Sequence, residues 1–167
     1  MESGTSQAAR SAFANIKAHY DEQRSSDGLI CKHGFYWNSF VLKLQKASWT
    51  NDPIDRLQNE SGIFFSIWIT QESAIRGRAN YNIHALKMRQ LQGYSITSRE
   101  FAEAFRDGFK ATRGDWPNVS VDYGPQTLMQ GWTEFDPARF ERDALILVER
   151  FKHLSLLIDR LLESRRK

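Results

Sequence analysis

With a single cysteine, Cys31, among its 167 residues, the chain cannot close an internal disulfide. That scarcity favours a reducing compartment, and a cytoplasmic location is the expectation. Glycine and proline are also few, ten and four, which excludes collagen-like and low-complexity classes. Long hydrophobic runs are missing. The longest nearly apolar stretch, Ile63 to Ile69, covers less than half of the roughly 20 residues a membrane helix needs. Met1 to Lys17 has no apolar stretch of the kind a secretory leader carries, so no membrane partner is expected. Charge of one sign is in short supply as well: 23 Lys and Arg stand against 20 Asp and Glu, a net charge of +3.

Motifs that announce chemistry are absent. The phosphate-cradling G-x-x-x-x-G-K-[ST] and G-x-G-x-x-G loops do not occur, nor does the nucleophile elbow G-x-S-x-G. H-E-x-x-H is missing, and one cysteine with four scattered histidines offers no zinc spacing. No cofactor or metal is therefore expected, and the sequence leans away from an enzyme. The triplets Asn59-Glu60-Ser61 and Asn118-Val119-Ser120 fit a glycosylation pattern that arises often by chance.

Aromatic residues, by contrast, are plentiful: 11 Phe, 5 Trp and 5 Tyr can furnish a dense core. The chain reads as a single α+β domain over 1–167, with 1–4 frayed. Ala9, Ala12, Phe13, Ile16 and Tyr20 form one stripe of a helix from Thr5 to about Arg24. Ser25-Ser26-Asp27-Gly28 reads as a turn. The segment Leu29 to Ala47 carries two signals. Trp37, Phe40, Val41 and Leu44 have helical spacing, whereas Phe40, Leu42 and Leu44 alternate as in a strand. The reading leans to a helix from about Tyr36. Asn51-Asp52-Pro53 reads as a turn or a short helical start.

Gly62 to Thr70 gives the strongest strand pattern, with Ile63, Phe65, Ile67 and Ile69 on one face and Phe64, Ser66, Trp68 and Thr70 on the other. Ala79 to Met88 alternates likewise, so the two segments are expected to pair across a loop of about eight residues. Thr97-Ser98-Arg99-Glu100 fits a capping box opening a helix with Phe101, Phe105 and Phe109 in line. Two short strands, Val119 to Tyr123 and Leu128 to Phe135, are expected around Gly124-Pro125. Asp136-Pro137 opens a last helix reaching about Arg165. Its greasy distal half, Leu154 to Leu162, calls for cover from the N-terminal helix or from a second subunit, which makes a homodimer through this helix one expectation. The predicted fold is thus α+β, with a four- or five-stranded antiparallel sheet in ββαββα order, helices mainly on one face and a long C-terminal helix.

Three clusters carry candidate chemistry. The even-numbered face of the strand pair brings together Ser66, Trp68, Asn80, Asn82 and His84, a mixture suited to holding a polar ligand or stacking a base. Ser120 and Asp122 join that face if the third strand forms, and Asp122 then orients His84 for acid–base work. Arg76, Arg78, Lys87 and Arg89, opposed only by Glu72, form a basic stretch that can contact phosphates or guard an edge strand. Cys31, between Leu29-Ile30 and Lys32-His33, reads as a buried thiol rather than a nucleophile. Arg165-Arg166-Lys167 complements the last helix dipole. The leading expectation is a small binding or interaction module whose partner is a protein or a polar ligand. A nucleic-acid-binding accessory domain and a metal-independent enzyme built on His84 and Asp122 are the alternatives.

Overall fold

The computed structural model describes residues 4–23, 28–52, 57 and 61–167. The expected turns at 25–28 and 51–53, the fraying of 1–4 and the Asn59 sequon fall wholly or partly outside these residues. Helix α1 (Gly4–Gln23) precedes strands β1 (Leu29–Tyr36), β2 (Ser39–Lys46) and β3 (Gly62–Thr70). Helix α2 (Gln71–Ile75), β4 (Arg78–Leu86), α3 (Ser98–Phe109), β5 (Thr127–Glu134) and α4 (Phe140–Glu163) follow. The five strands form one antiparallel sheet in the order β1-β2-β3-β4-β5, so the protein is α+β as the pattern implied.

The helical expectation for residues from Tyr36 onward is overturned. Residues 29–46 form a β-hairpin whose two-residue turn is Trp37-Asn38, with φ of 51° and 59°. Positive φ at both positions is the geometry that matches the right-handed twist of the flanking strands. The helical spacing of Trp37, Phe40, Val41 and Leu44 was coincidental. Phe40, Leu42 and Leu44 bury toward the helices, while Trp37 is 79% exposed at the tip.

The β3 pattern holds: Ile63, Phe65, Ile67 and Ile69 are fully buried against the helical layer. Phe65 stacks on Phe151 of α4 with ring centroids 4.4 Å apart and meets Trp116 edge-on at 6.0 Å. One apolar cluster runs through α1, the sheet, α3 and α4. Between β3 and β4 the expected loop is shortened by α2, where Thr70 Oγ1 accepts from Ser73 N and Ser73 Oγ accepts from Thr70 N, both at 2.9 Å. This reciprocal pair satisfies two amide donors at the helix start. Gly77, with φ of 70°, then turns the chain into β4.

Three local expectations are corrected. Thr97 precedes α3 but its side chain makes no capping bond; the helix is entered through Phe101 N donating to the Thr97 carbonyl. Residues 119–123 do not form a strand. Ser120 alone bridges Gln130, exchanging both backbone hydrogen bonds at 2.8 and 3.0 Å, so the segment laces the outer edge of β5. The Arg165-Arg166-Lys167 tail does more than complement the helix dipole, because it is docked: Ser95 N donates to the Arg165 carbonyl and Lys167 N to the Gly93 carbonyl.

Helix α4 spans 24 residues, about 36 Å. Its start meets α1 through Phe13 and Phe140, 5.6 Å apart, and through Asn15 donating to Glu141. Its distal half is covered by α3, where Leu157 lies against Gly108, and by Trp49, whose indole donates to Asp159 at 2.9 Å. Ile146 and Leu156 stay exposed at 41% and 59%. Ten positions apart on a helix places them about 15 Å from one another along the axis and about 80° apart around it. Among the described residues no helix is long and apolar enough to cross a membrane.

Candidate functional site

The sheet face turned away from the helices is not an ordinary solvated surface. Cross-strand register places Lys43, Ser66, Asn82 and Gln130 in one row, and Val41, Trp68, Asn80 and Trp132 in the next. Phe64 and His84 are opposite one another beside the first row. At the centre Lys43, Gln45, Phe64, Ser66 and Asn82 are all buried. Leu57, from the β2–β3 connection, lies so close over Gly34 that a Cβ there would approach it to 2.9 Å. The result is a groove of about 390 Å³, with the polar ladder as its floor and Tyr36, Trp37, Trp68 and Leu86 around it.

The floor is a defined hydrogen-bond chain. Ser66 Oγ donates to Asn82 Oδ1 at 2.7 Å, and Asn82 Nδ2 lies 2.9 Å from His84 Nε2. His84 Nδ1 lies 3.2 Å from the Gln126 carbonyl, which can only accept. Nδ1 therefore carries the imidazole proton and Nε2 accepts from Asn82. Thr127 Oγ1 also lies 3.2 Å from Nδ1. A β-bulge between Ile83 and His84 turns the histidine into this position. Phe64 and the imidazole meet edge-on at 5.4 Å, and the Lys43 ammonium sits 4.1 Å above the Phe64 ring.

Ser66, Asn82 and His84 thus share one constellation, with Trp68 on its rim, as alternation alone implied. Asp122 does not belong to it. The Asp122 side chain is exposed and has no hydrogen bond to His84; its backbone amide is held by Ser120 Oγ at 3.0 Å. The carbonyl of Gln126 occupies the place the carboxylate was expected to take, so both ring nitrogens are committed within the protein. The basic stretch is divided as well. Arg76 pairs with Glu72 at 2.9 Å, Arg78 lies 3.9 Å over the Trp132 ring, and Lys87 and Arg89 are exposed beyond the opposite end of β4. Nine residues of strand, about 30 Å, separate the two pairs.

Sequence reasoning missed Arg106. From α3 its guanidinium donates to the carbonyls of Tyr123, Gly124, Thr127 and Leu128 at 2.9–3.2 Å. It thereby pins the loop whose Gln126 carbonyl orients His84. A helical arginine four positions after a buried Ala102 gives no pattern signal, because its partners are backbone atoms far along the chain.

The spacing of Trp37 suits a helix face, yet in the structure it is the most exposed rim residue. A bulky side chain at φ of 51° is uncommon and costs conformational energy of order 1 kcal/mol. Cys31 faces the helical layer instead, 2% exposed, and burial pushes its thiol up to about 12. Native Cys31 is expected to resist a disulfide reagent such as DTNB at pH 8 and to react fully in guanidinium chloride. Rapid native labelling would refute its burial. Burial and the nearby Lys17 lower the His33 pKa, so this residue favours its neutral form.

Neither the family models, nor the curated proteins, nor the solved structures contain a match to this chain. Its function rests on its own geometry.

Proposed function

We propose that this chain is a small binding module, one α+β domain that takes a polar aromatic ligand in the groove on its open sheet face. The observation that carries the reading is the Ser66–Asn82–His84 hydrogen-bond chain lying at the floor of an aromatic-rimmed groove. A few fixed polar groups within mostly apolar walls are the usual make-up of a ligand site. The strands hold them rigidly, and Arg106 holds the loop behind them. The exposed, left-handed Trp37 adds weight, since a glycine or asparagine would form the same turn without strain.

The test is a screen of phosphate-free planar amides and heterocycles, nicotinamide and benzamide among them, read by the His84 imidazole NMR signals. Binders are expected to shift those signals in the wild type and to lose affinity in Trp37→Gly. That variant should also gain about 1 kcal/mol of stability, because glycine adopts φ above zero freely. For a chain of this size the melting temperature then rises by roughly 2–4 °C. Absence of any binder, or binding unchanged by Trp37→Gly, would overturn the reading.

A further inference from the structure

The second cross-strand row of this face has a composition that the groove itself does not explain. Trp68, Asn80 and Trp132 stand directly opposite one another on β3, β4 and β5. All three are partly exposed. Among the described residues the Asn80 amide and the two indole N–H groups have no hydrogen-bond partner, so at this partly exposed surface they are available to a ligand. Neighbouring strands lie about 4.8 Å apart, so Trp68 is one strand spacing from Asn80 and two from Trp132.

Arg78 completes the arrangement. Its guanidinium lies 3.9 Å from the centre of the Trp132 ring. The residue opposite it in register is Glu134, which is placed to neutralise it. Glu134 instead bonds Arg139 at 3.3 Å. Among the described residues Arg78 has a ring beneath it and no carboxylate partner, a cation positioned by stacking and open toward solvent.

We infer that Trp68, Asn80 and Arg78 form a nucleotide subsite, in which a nucleobase stacks on Trp68, Asn80 reads its edge and Arg78 contacts the phosphate. Trp132 is the positioning residue that holds the guanidinium in place. Each part supplies what such a ligand needs. Every base has a π-face for an indole, a side-chain amide matches the paired donor and acceptor of a base edge, and an arginine fork suits phosphate oxygens. A free nucleotide and a nucleotide within a single strand share this chemistry. The inference rests on the reading of this face as a binding surface and names its ligand class.

The experiment titrates the wild-type protein with the four ribonucleoside monophosphates and with fluorescein-labelled eight-residue single-stranded RNA and DNA, read by tryptophan quenching and by anisotropy. Binding by the mononucleotides identifies a free nucleotide as the source; binding by the oligomers alone identifies a strand. Either supports the inference if Trp68→Ala weakens it about tenfold to a hundredfold while Trp68→Phe retains most of it. Arg78→Gln should weaken binding and lower the salt dependence by about one phosphate contact. Asn80→Ala should flatten the preference among bases. Circular dichroism confirms that each variant is folded. Absence of binding by every phosphate-bearing probe, or binding that survives both Trp68→Ala and Arg78→Gln, overturns the subsite. If phosphate-free amides still shift the His84 signals in that case, the groove reading stands and only the nucleotide assignment falls. If they do not, both fall.

Discussion

Replacing Gly62 by alanine is expected to remove a large part of the protein's stability. Gly62 opens β3 with φ of 78°, and a Cβ there would press into the Trp49 carbonyl oxygen and come within 2.8 Å of Thr50 Cα. The left-handed conformation alone costs an alanine roughly 1–2 kcal/mol. The obstructing atoms are backbone, so relief requires moving the turn that carries Trp49, a fully buried ring bonded to Asp159. A total loss above about 4 kcal/mol is expected, against a typical domain stability of about 5–15 kcal/mol. Gly77 is the internal control. It too has positive φ, but nothing lies within 4 Å of its virtual Cβ, so Gly77→Ala should cost only the conformational share. Urea denaturation of both variants measures the difference. Equal losses would remove the close approach at Gly62 from the account.

The second large effect is at Phe65. Truncation to alanine is expected to cost about 3–5 kcal/mol, because a buried phenylalanine leaves both lost transfer energy and a cavity. Phe65 is fully buried between Phe151, Tyr81 and Trp116, rings from α4, β4 and the segment after α3, so no single element can shift to fill the space. Its chain neighbour Phe64 faces the groove and touches Lys43 and His84. Phe64→Ala should therefore cost less stability and instead disturb the His84 signals. The contrast between adjacent residues tests the face assignment on which the site depends. Comparable losses at 64 and 65 would contradict it.

The split between these two phenylalanines was legible in the chain. Alternation over Ile63 to Thr70 needs only a period of two, and a one-residue slip would expose the whole apolar set. The same logic placed Ser66 and Trp68 beside Asn80, Asn82 and His84. It failed over 29–46, where both faces of β2 are largely buried and Lys43 and Gln45 lie inside. A strand buried on both sides loses its alternation, and a chance helical spacing then looks stronger. The turn at Trp37-Asn38 lacks the usual glycine, so its signal was silent too.

Local pattern determined that this chain makes an antiparallel sheet with apolar residues turned to a helical layer, a long C-terminal helix, and a second face of polar and aromatic side chains. These are properties of residues a few positions apart, and their periodicity is written in the order of the amino acids. Only the tertiary structure decided which groups meet across that face. It gave His84 to Asn82 and the Gln126 carbonyl instead of Asp122, sent Glu134 to Arg139 and left Arg78 on Trp132. Such pairings depend on register, on a one-residue bulge and on where a loop is pinned, and those are settled by long-range packing, for which no short stretch of sequence carries the distances.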